Sequence, residues 1–196
     1  MVASIELLRP GRLLVANPRL ADSNFERRVV KLVAYGEDGA QGLILNRPCD
    51  MAVSSPLPQW AHIAAEPAVM FLGGPVSHQA VICLARAVPT GGGAPKGDGA
   101  GGGWKELDGD LGTLDLDSDP GAVSGRLGAI RLFAGYAGWA AGQLEAEMEA
   151  GAWWVLDADR DDPFTAAPEN LWKRVLLRQA EPLRLVAFYP DNPAWN

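Results

Sequence analysis

Cysteine and histidine are scarce in this 196-residue chain, and each shortage narrows the chemistry that it can perform. The two cysteines, Cys49 and Cys83, form no Cys-x-x-Cys pair, which argues against a disulfide scaffold and fits a reducing compartment. The two histidines, His62 and His78, stand without a Gly-x-Ser-x-Gly segment anywhere in the chain. A serine-hydrolase arrangement is therefore not indicated, and we interpret both histidines as structural or surface residues.

The chain also lacks an excess of basic charge and any long apolar run. Seventeen Lys and Arg face twenty-four Asp and Glu, giving a net charge of −7 and a pI near 4.8. Such a surface repels phosphate backbones, so we predict no direct binding of nucleic acid. Apolar runs such as residues 67–72 and 183–188 fall far short of the ~20 residues that a membrane span needs. Without a basic, apolar leader segment either, the chain is predicted to be cytoplasmic and not membrane-bound.

Metal and cofactor motifs are incomplete in this sequence. Two runs of alternating aspartates imitate calcium loops, at residues 115–119 and 157–161, but neither has the Gly and Glu that such a loop requires. We interpret them as turns, with Asp119 capping a helix. The glycine-rich segment at residues 91–103 has Lys96 followed by Gly97 and not by a hydroxyl residue, so it is no phosphate loop. We predict no metal or cofactor, and a flexible surface loop at 91–103.

The remaining pattern predicts one domain spanning residues 1–196, with a mixed α/β (α+β) fold. Hydrophobic residues make up 48% of the chain, with seven tryptophans, which is ample for one packed core. Hairpins before the glycine loop and alternating strands and helices after it predict a mixed sheet with helices packed on it. The predicted strands are 12–16, 28–35, 42–45, 68–72, 80–85, 111–116, 129–133, 152–156 and 183–188, and the predicted helices 59–65, 120–127, 143–150 and 167–179.

A group of polar residues brackets the first predicted hairpin. Asp22 and Asn24 precede its first strand, and Asn46 and Arg47 end the second, so antiparallel pairing brings them into one neighbourhood. Arginine is a fork for carboxylate or phosphate, and the amides of the Gly73-Gly74 turn are candidates for an anion nest. The alternative is structural: the Asp and Asn side chains hold an Asx turn, and Arg47 pairs with an acid.

A second group follows the predicted strand at 129–133. Here we expect a glycine turn at 135–138, carrying Tyr136, and then a helix that presents Trp139 and Gln143 on one face because they are four residues apart. Aromatic and polar groups beside glycines are typical of a binding site. We therefore predict that this group and the first one converge on a single cleft.

Five blocks of sequence together resemble the AlgH/YqgE family of bacterial proteins. They are LLVANP at 13–18, LADSNFERRVV at 20–30, EDGAQGLILNRP at 37–48, FLGGPV at 71–76 and GYAGWAAGQLEAE at 135–147. The resemblance implies one cytosolic α/β domain with a mixed sheet, and a protein often labelled a transcriptional regulator without an established activity. This chain differs from the family pattern in two respects. It has no cysteine at residues 31–35, which weakens a thiol-redox mechanism, and its glycine loop at 91–103 resembles an insertion.

Two functions of different classes follow. The first is a non-enzymatic, cytosolic ligand- or partner-binding protein with a regulatory role, which holds a small anionic or polar ligand or a protein partner. Its ligand-binding residues are predicted to be Asp22, Asn24, Asn46, Arg47, Gly73, Gly74, Tyr136, Trp139 and Gln143. The alternative is a small hydrolytic enzyme with Asp22 or Glu145 as base and Arg47 stabilising an anion. The sequence leaves the oligomeric state open, with a monomer slightly favoured.

Overall fold

A computed structural model of the protein describes residues 5–20, 22–88 and 103–190. The strands in these ranges are β1 Leu13–Ala16, β2 Val29–Gly36, β3 Gly39–Ile44, β4 Pro48–Ala52, β5 Val69–Leu72, β6 Val76–Ala87, β7 Trp104–Asp108, β8 Leu111–Leu114, β9 Leu127–Trp139 and β10 Trp153–Leu156. The α-helices are α1 Pro120–Val123, α2 Gln143–Glu149 and α3 Leu171–Leu177, with short 3-10 helices between elements. None of these helices has the length and apolar character of a transmembrane helix.

The strands form one curled sheet in the order β10-β1-β2-β3-β9-β6-β8-β7, with β5 lying between β9 and β4. Every pairing is antiparallel except that of β5 with β9. The predicted mixed α/β fold, with hairpins and helices packed on a mixed sheet, is thereby confirmed.

The described residues form three core clusters, and side chains of β1 alternate between two of them on opposite faces of the sheet. In β1, Leu13 and Val15 join the core that α3 covers, whereas Leu14 and Ala16 join the core that α2 covers. The apolar face predicted for the C-terminal helix, made by Leu171, Val175 and Leu176, is fully buried. The two helices therefore lie on opposite faces, which matters for the candidate site.

Local signals at the helix ends are confirmed. Asp119 caps α1, its Oδ1 accepting from the backbone N–H of Gly121 at 3.0 Å. Gly151, with a φ of +77°, follows α2 as the predicted stop. The predicted helix at 59–65 is a 3-10 helix over Pro58–Ile63.

Two predicted elements are wrong, and two strands were not predicted. Residues 135–138 are no turn but part of the long strand β9. The glycine at 135 is needed for a close approach, because Gly135 has a φ of +69° and a Cβ there would lie 2.6 Å from the carbonyl oxygen of Val76. The apolar run 183–188, predicted as a strand, is a 3-10 helix packed against α3. Strands β4 and β7 were missed because neither shows a clear apolar alternation.

The predicted flexible loop falls almost wholly outside the described residues. Of residues 91–103, the structure describes Gly103 alone. The Gly103 carbonyl accepts from the N–H of Asp115 at 2.9 Å, so the described chain resumes next to β8. The mobility of 91–102 stays a prediction.

Candidate functional site

The predicted site residues lie in two regions of the sheet. Trp139, the last residue of β9, pairs with Ala40 near the start of β3. Arg47 follows seven residues further along the chain, beyond the other end of β3, which corresponds to about 23 Å of extended strand. The two groups therefore do not line one common cavity.

The first region is a cavity of about 700 Å³ between the ends of β2 and β3 and the helix α3, and we call it the arginine cavity. Its charged lining consists of four cationic side chains, Arg27, Arg28, Arg47 and Lys173, and two acidic ones, Glu26 and Glu169. Ser23, Asn46, Pro48, Asn170 and Trp172 complete it. The lining of this cavity is therefore net positive, whereas the protein as a whole carries a net charge of −7.

Asn46 supports the wall of this cavity from within the fold. Its side chain is only 5% exposed. The Oδ1 atom accepts from the backbone N–H of Val29 at 3.0 Å, and Nδ2 donates to the carbonyl of Arg27 at 2.9 Å. Both ends of the amide are thus engaged by the backbone that carries Arg27 and Arg28. Asn46 thus holds in place the backbone from which the two arginine side chains extend. Its part in ligand binding stays a prediction.

Arg28 carries a buried donor that the fold leaves without a partner among the described residues. Its Nη1 donates to the carbonyl of Asn46 at 3.2 Å, but its buried Nε has no hydrogen-bond partner among the described residues. Burial lowers the pKa of this guanidinium, and the neighbouring charge of Arg47 lowers it further, against the opposing effect of Glu26. A bound anion would relieve both penalties at once.

Arg47 itself extends into the cavity half-buried. Within the described part of the chain, no carboxylate lies within ion-pair distance of its guanidinium. Its backbone carbonyl accepts from the N–H of Leu72 at 2.8 Å, which ties the end of β3 to β5. The structural alternative, in which Arg47 pairs with an acid, therefore finds no support here.

Of the four cationic residues of the cavity only Arg47 was predicted as a site residue, so the sequence analysis missed Arg28, Arg27 and Lys173. Arg27 adopts a left-handed φ of +50° and stacks over the ring of Trp172 at 4.8 Å. It also donates to the carbonyls of Tyr189 and Pro190, at 2.9 and 2.7 Å. The amine of Lys173 lies 5.6 Å from the ring centroid of Phe188. Arg27 stands in one of the family-like sequence blocks, whereas Lys173 reaches the cavity only through the packing of α3.

Asp22 and Asn24 form the Asx turn that was the structural alternative. Oδ1 of Asp22 accepts from the N–H of Asn24 at 2.8 Å, and its carbonyl accepts from the N–H groups of Phe25 and Glu26. The turn places Ser23 and Glu26 on the cavity wall, but Asp22 and Asn24 do not line it. Their contribution to a site is to shape the approach to β2.

The Gly73-Gly74 turn is needed for a crossing of backbones. A Cβ on Gly73 would lie 2.2 Å from the carbonyl oxygen of Gly135. The N–H of Gly73 donates to the carbonyl of Ala134, and its carbonyl accepts from Ile44, both at 2.9 Å. The Gly73 amide is therefore already bonded, and the expected anion nest is not formed at that residue.

The second region surrounds Glu147 on α2. Its Oε2 accepts from the indole Nε1 of Trp139 at 2.9 Å and from that of Trp153 at 2.8 Å. Its Oε1 accepts from Nε2 of Gln143 at 2.9 Å. The expectation that Trp139 and Gln143 share a helix face is wrong, because Trp139 ends β9 and only Gln143 belongs to α2. The two residues are joined instead through one carboxylate. Phe25 also stacks on Trp139 and meets Trp153 edge-on.

Tyr136 lines a separate cavity of about 450 Å³ near the first hairpin, together with Asp38, Gln41 and Gly138. Trp139 contributes to its wall but is only 5% exposed. Trp139 packs in the core under α2, whereas Trp172 of the arginine cavity packs in the core under α3. The two tryptophans thus belong to opposite faces of the sheet.

The amino-acid sequence of the chain matches a known protein family. A family model described as AlgH-like matches residues 13–184. The chain belongs to the AlgH-like family. The resemblance inferred from the five sequence blocks is thereby confirmed, and the function of this family is uncharacterised.

Relatives match over nearly their full length. The chain is 47% identical to a UPF0301 protein of Streptomyces avermitilis over 186 residues, covering 95% of this chain and 94% of the relative. A UPF0301 protein of Mycobacterium tuberculosis is 42% identical, with 96% and 91% covered. Among solved structures, a protein from Corynebacterium diphtheriae is similar with a TM-score of 0.85, 31% identity and 93% of each chain covered. The solution structure of AlgH from Pseudomonas aeruginosa has a TM-score of 0.63 at 31% identity, with 93% and 94% covered.

The hydrolytic alternative paired Arg47 with Asp22 or Glu145 as base. Asp22 accepts from the N–H of Asn24 and does not line the arginine cavity, and Glu145 lies far from Arg47 in this AlgH-like protein. Glu145 accepts from the hydroxyl of Tyr35 at 2.6 Å, near the hairpin end of β2. Arg47 lies beyond the opposite end of that strand, where Asn46 meets Val29, about 20 Å away along the strand. A base and an anion-stabilising group must act on one substrate within a few ångströms of each other.

The aspartate runs were predicted to be turns, and in the fold their side chains also make contacts that the sequence did not predict. Oδ1 of Asp115 accepts from the N–H of Asp117 at 3.0 Å. In the second run, Asp157 pairs with Arg12, Asp159 with Arg178 and Asp161 with Arg86. Among the described residues, no three His, Cys, Asp or Glu side chains are grouped so that they could hold a metal ion.

Proposed function

We propose that this AlgH-like protein is a non-enzymatic, cytoplasmic binding protein with a regulatory role, whose ligand presents an anionic group to the arginine cavity. The observation that carries the proposal is the state of Arg28, whose buried Nε has no partner among the described residues and which lies beside a second guanidinium, that of Arg47. Unpaired buried donors are rare in native proteins because each costs about 1–3 kcal/mol. An anion bound between Arg28 and Arg47 removes that cost and the mutual repulsion.

The ligand class follows from the lining. A phosphate or carboxylate matches the fork geometry of a guanidinium group. Arg47 lines the cavity and is only half-buried, so a ligand can reach it from solvent. A cavity of about 700 Å³ is within the range of small-molecule sites. The same cavity also fits the acidic side chain of a protein partner, through which regulation would act, since the net charge of −7 opposes direct contact with DNA.

A thermal-shift titration with inorganic phosphate, pyrophosphate and acetate tests this proposal. A ligand at one hundred times its dissociation constant adds about 2.7 kcal/mol to the free energy of unfolding, which raises the melting temperature measurably. We expect stabilisation of the wild type that is reduced in Arg47→Gln and that weakens as sodium chloride is added.

The matched control is Arg126→Gln, which removes the same charge from an exposed position outside the cavity. It should respond to the anions as the wild type does. Equal stabilisation of the wild type and Arg47→Gln, or no stabilisation by any of the three anions, would contradict the proposal.

A further inference from the structure

Lys31 is a buried lysine in the middle of the sheet, at a position where its neighbours are leucines. It lies on β2, in register with Leu13 of β1 and Leu43 of β3, and it is 1% exposed. Lysine is almost never buried in this way unless its amine has a specific role or partner. The arginine cavity does not include it.

The amine of Lys31 lies at the wall of a different cavity, of about 240 Å³, which we call the lysine cavity. Its Nζ donates to the carbonyl of Gly11 and lies 3.9 Å from Oδ2 of Asp108. Gly11 has a φ of +92°, and a Cβ there would come within 3.0 Å of the Asp108 side chain. The carbonyl of Gly11 thus accepts from the amine, and the absence of a side chain at this position leaves room for the carboxylate of Asp108.

Charges around this amine act in opposite directions. Burial is the main effect and lowers the pKa of Lys31, with a smaller contribution of the same sign from Arg12. Asp108 and Asp162 act against it. The net result is a larger fraction of neutral amine than an exposed lysine has, and the neutral amine is the nucleophile.

We propose that Lys31 binds a small, uncharged, hydroxylated aldehyde covalently and reversibly in the lysine cavity, as an imine. Three carboxylates line the cavity, those of Asp108, Asp110 and Asp159, against the cations Lys31 and Arg160. The excess of negative charge disfavours an anionic carbonyl compound. The carboxylates can accept hydrogen bonds from the hydroxyl groups of an uncharged one. The volume corresponds to about eight water molecules, which limits the ligand to a few heavy atoms.

The reaction balances without a cofactor. The Nζ lone pair attacks the aldehyde carbon, a C–N bond forms, and the carbonyl π electrons move to the oxygen, which takes up a proton. The nitrogen loses a proton, which the carboxylate of Asp108, 3.9 Å from Nζ, can take up. Loss of the hydroxyl group with a proton, as one water molecule, then gives the imine. Hydrolysis by one water molecule returns amine and aldehyde.

Reductive trapping followed by peptide mapping tests the proposal on the full-length native protein. Glycolaldehyde at pH 7 with cyanoborohydride converts each imine to a stable secondary amine, and mass spectrometry then reports the labelling rate of every lysine. We expect Lys31 to be labelled at least about threefold faster than the exposed Lys105 and Lys173. In urea, where the cavity no longer exists, the preference should disappear.

Glyoxylate, an anionic aldehyde, separates the ligand class from simple reactivity. It should label Lys31 more slowly than glycolaldehyde does, relative to Lys105 in the same sample. Lys31→Met should lose the fast adduct from the intact mass, and if that variant fails to fold, the wild-type peptide map decides alone. Labelling of Lys31 no faster than that of Lys105 would show that the amine is only structural, and faster labelling by glyoxylate would overturn the uncharged class.

Discussion

Replacing Glu147 with leucine tests whether the conspicuous Trp139 and Gln143 residues serve the fold. The carboxylate accepts hydrogen bonds from two indole N–H groups, those of Trp139 and Trp153, which are 5% and 1% exposed. Leucine leaves both donors without an acceptor at about 1–3 kcal/mol each, so Glu147→Leu should lower the free energy of unfolding by about 2–6 kcal/mol. Helix propensity changes little, because leucine and glutamate are comparable helix formers.

A second variant separates the acceptor from the charge. Glu147→Gln keeps a carbonyl oxygen for the two indoles and loses mainly the contact with Gln143, so we expect a loss of about 0.5–1.5 kcal/mol. Urea unfolding followed by far-UV circular dichroism measures both, with Glu149→Leu as an exposed control on the same helix that should stay within about 0.5 kcal/mol of the wild type. A loss below about 1 kcal/mol for Glu147→Leu would refute the reasoning and reopen a ligand-binding role for this region.

Three further predictions concern other parts of the chain. Asp162 is 1% exposed and accepts from Arg174, from Arg178 and from the backbone N–H of Asp159. Asp162→Asn should therefore lower the free energy of unfolding in urea by about 3–5 kcal/mol. The control Asp161→Asn, at an exposed position, should lower it by less than about 1 kcal/mol. Burial raises the pKa of the Cys83 thiol to about 12. The unfolded thiol ionises near pH 8.5 and the folded one does not, so the wild type should lose stability between about pH 9 and 12 relative to Cys83→Ala, measured by urea unfolding across that range. Deleting residues 92–101 should leave cooperative thermal unfolding intact, and a broadened transition in calorimetry would show that this segment is structural.

Strands and caps were predictable where the signal is local. Strand β1 follows from a short apolar run between glycine and an Asn-Pro pair, and β2 and β3 follow from apolar runs on either side of a glycine-rich turn. The Asp119 cap follows from one side chain and its own backbone. The β9 error shows the limit of such reasoning. Glycines at 135 and 138 suggest a turn, but Gly135 lies in a strand because the Gly73-Gly74 backbone crosses it closely, and that crossing is a tertiary contact.

The same limit applies to the candidate site. Asn46 and Arg47 were predicted from their place at a strand end, and both line the arginine cavity. Lys173 was not, because its helix reaches the cavity only after it packs on the α3 face of the sheet. Trp139 and Gln143 were assigned to the same cleft from their spacing in sequence. That spacing carries no information on which face of the sheet each side chain occupies.

The buried charges of Asp162, Arg28 and Lys31 differ in how far their partners satisfy them, and this difference supports the two proposed binding sites. Asp162 is buried and saturated with donors, so removing it destabilises the fold and no ligand has a reason to replace its partners. Arg28 and Lys31 border cavities with their charged forms penalised by burial, and the Arg28 Nε has no partner among the described residues. A fold tolerates such penalties most readily where a bound group offsets them. Among the described residues, the arginine and lysine cavities are therefore where we propose that ligands bind to this AlgH-like chain.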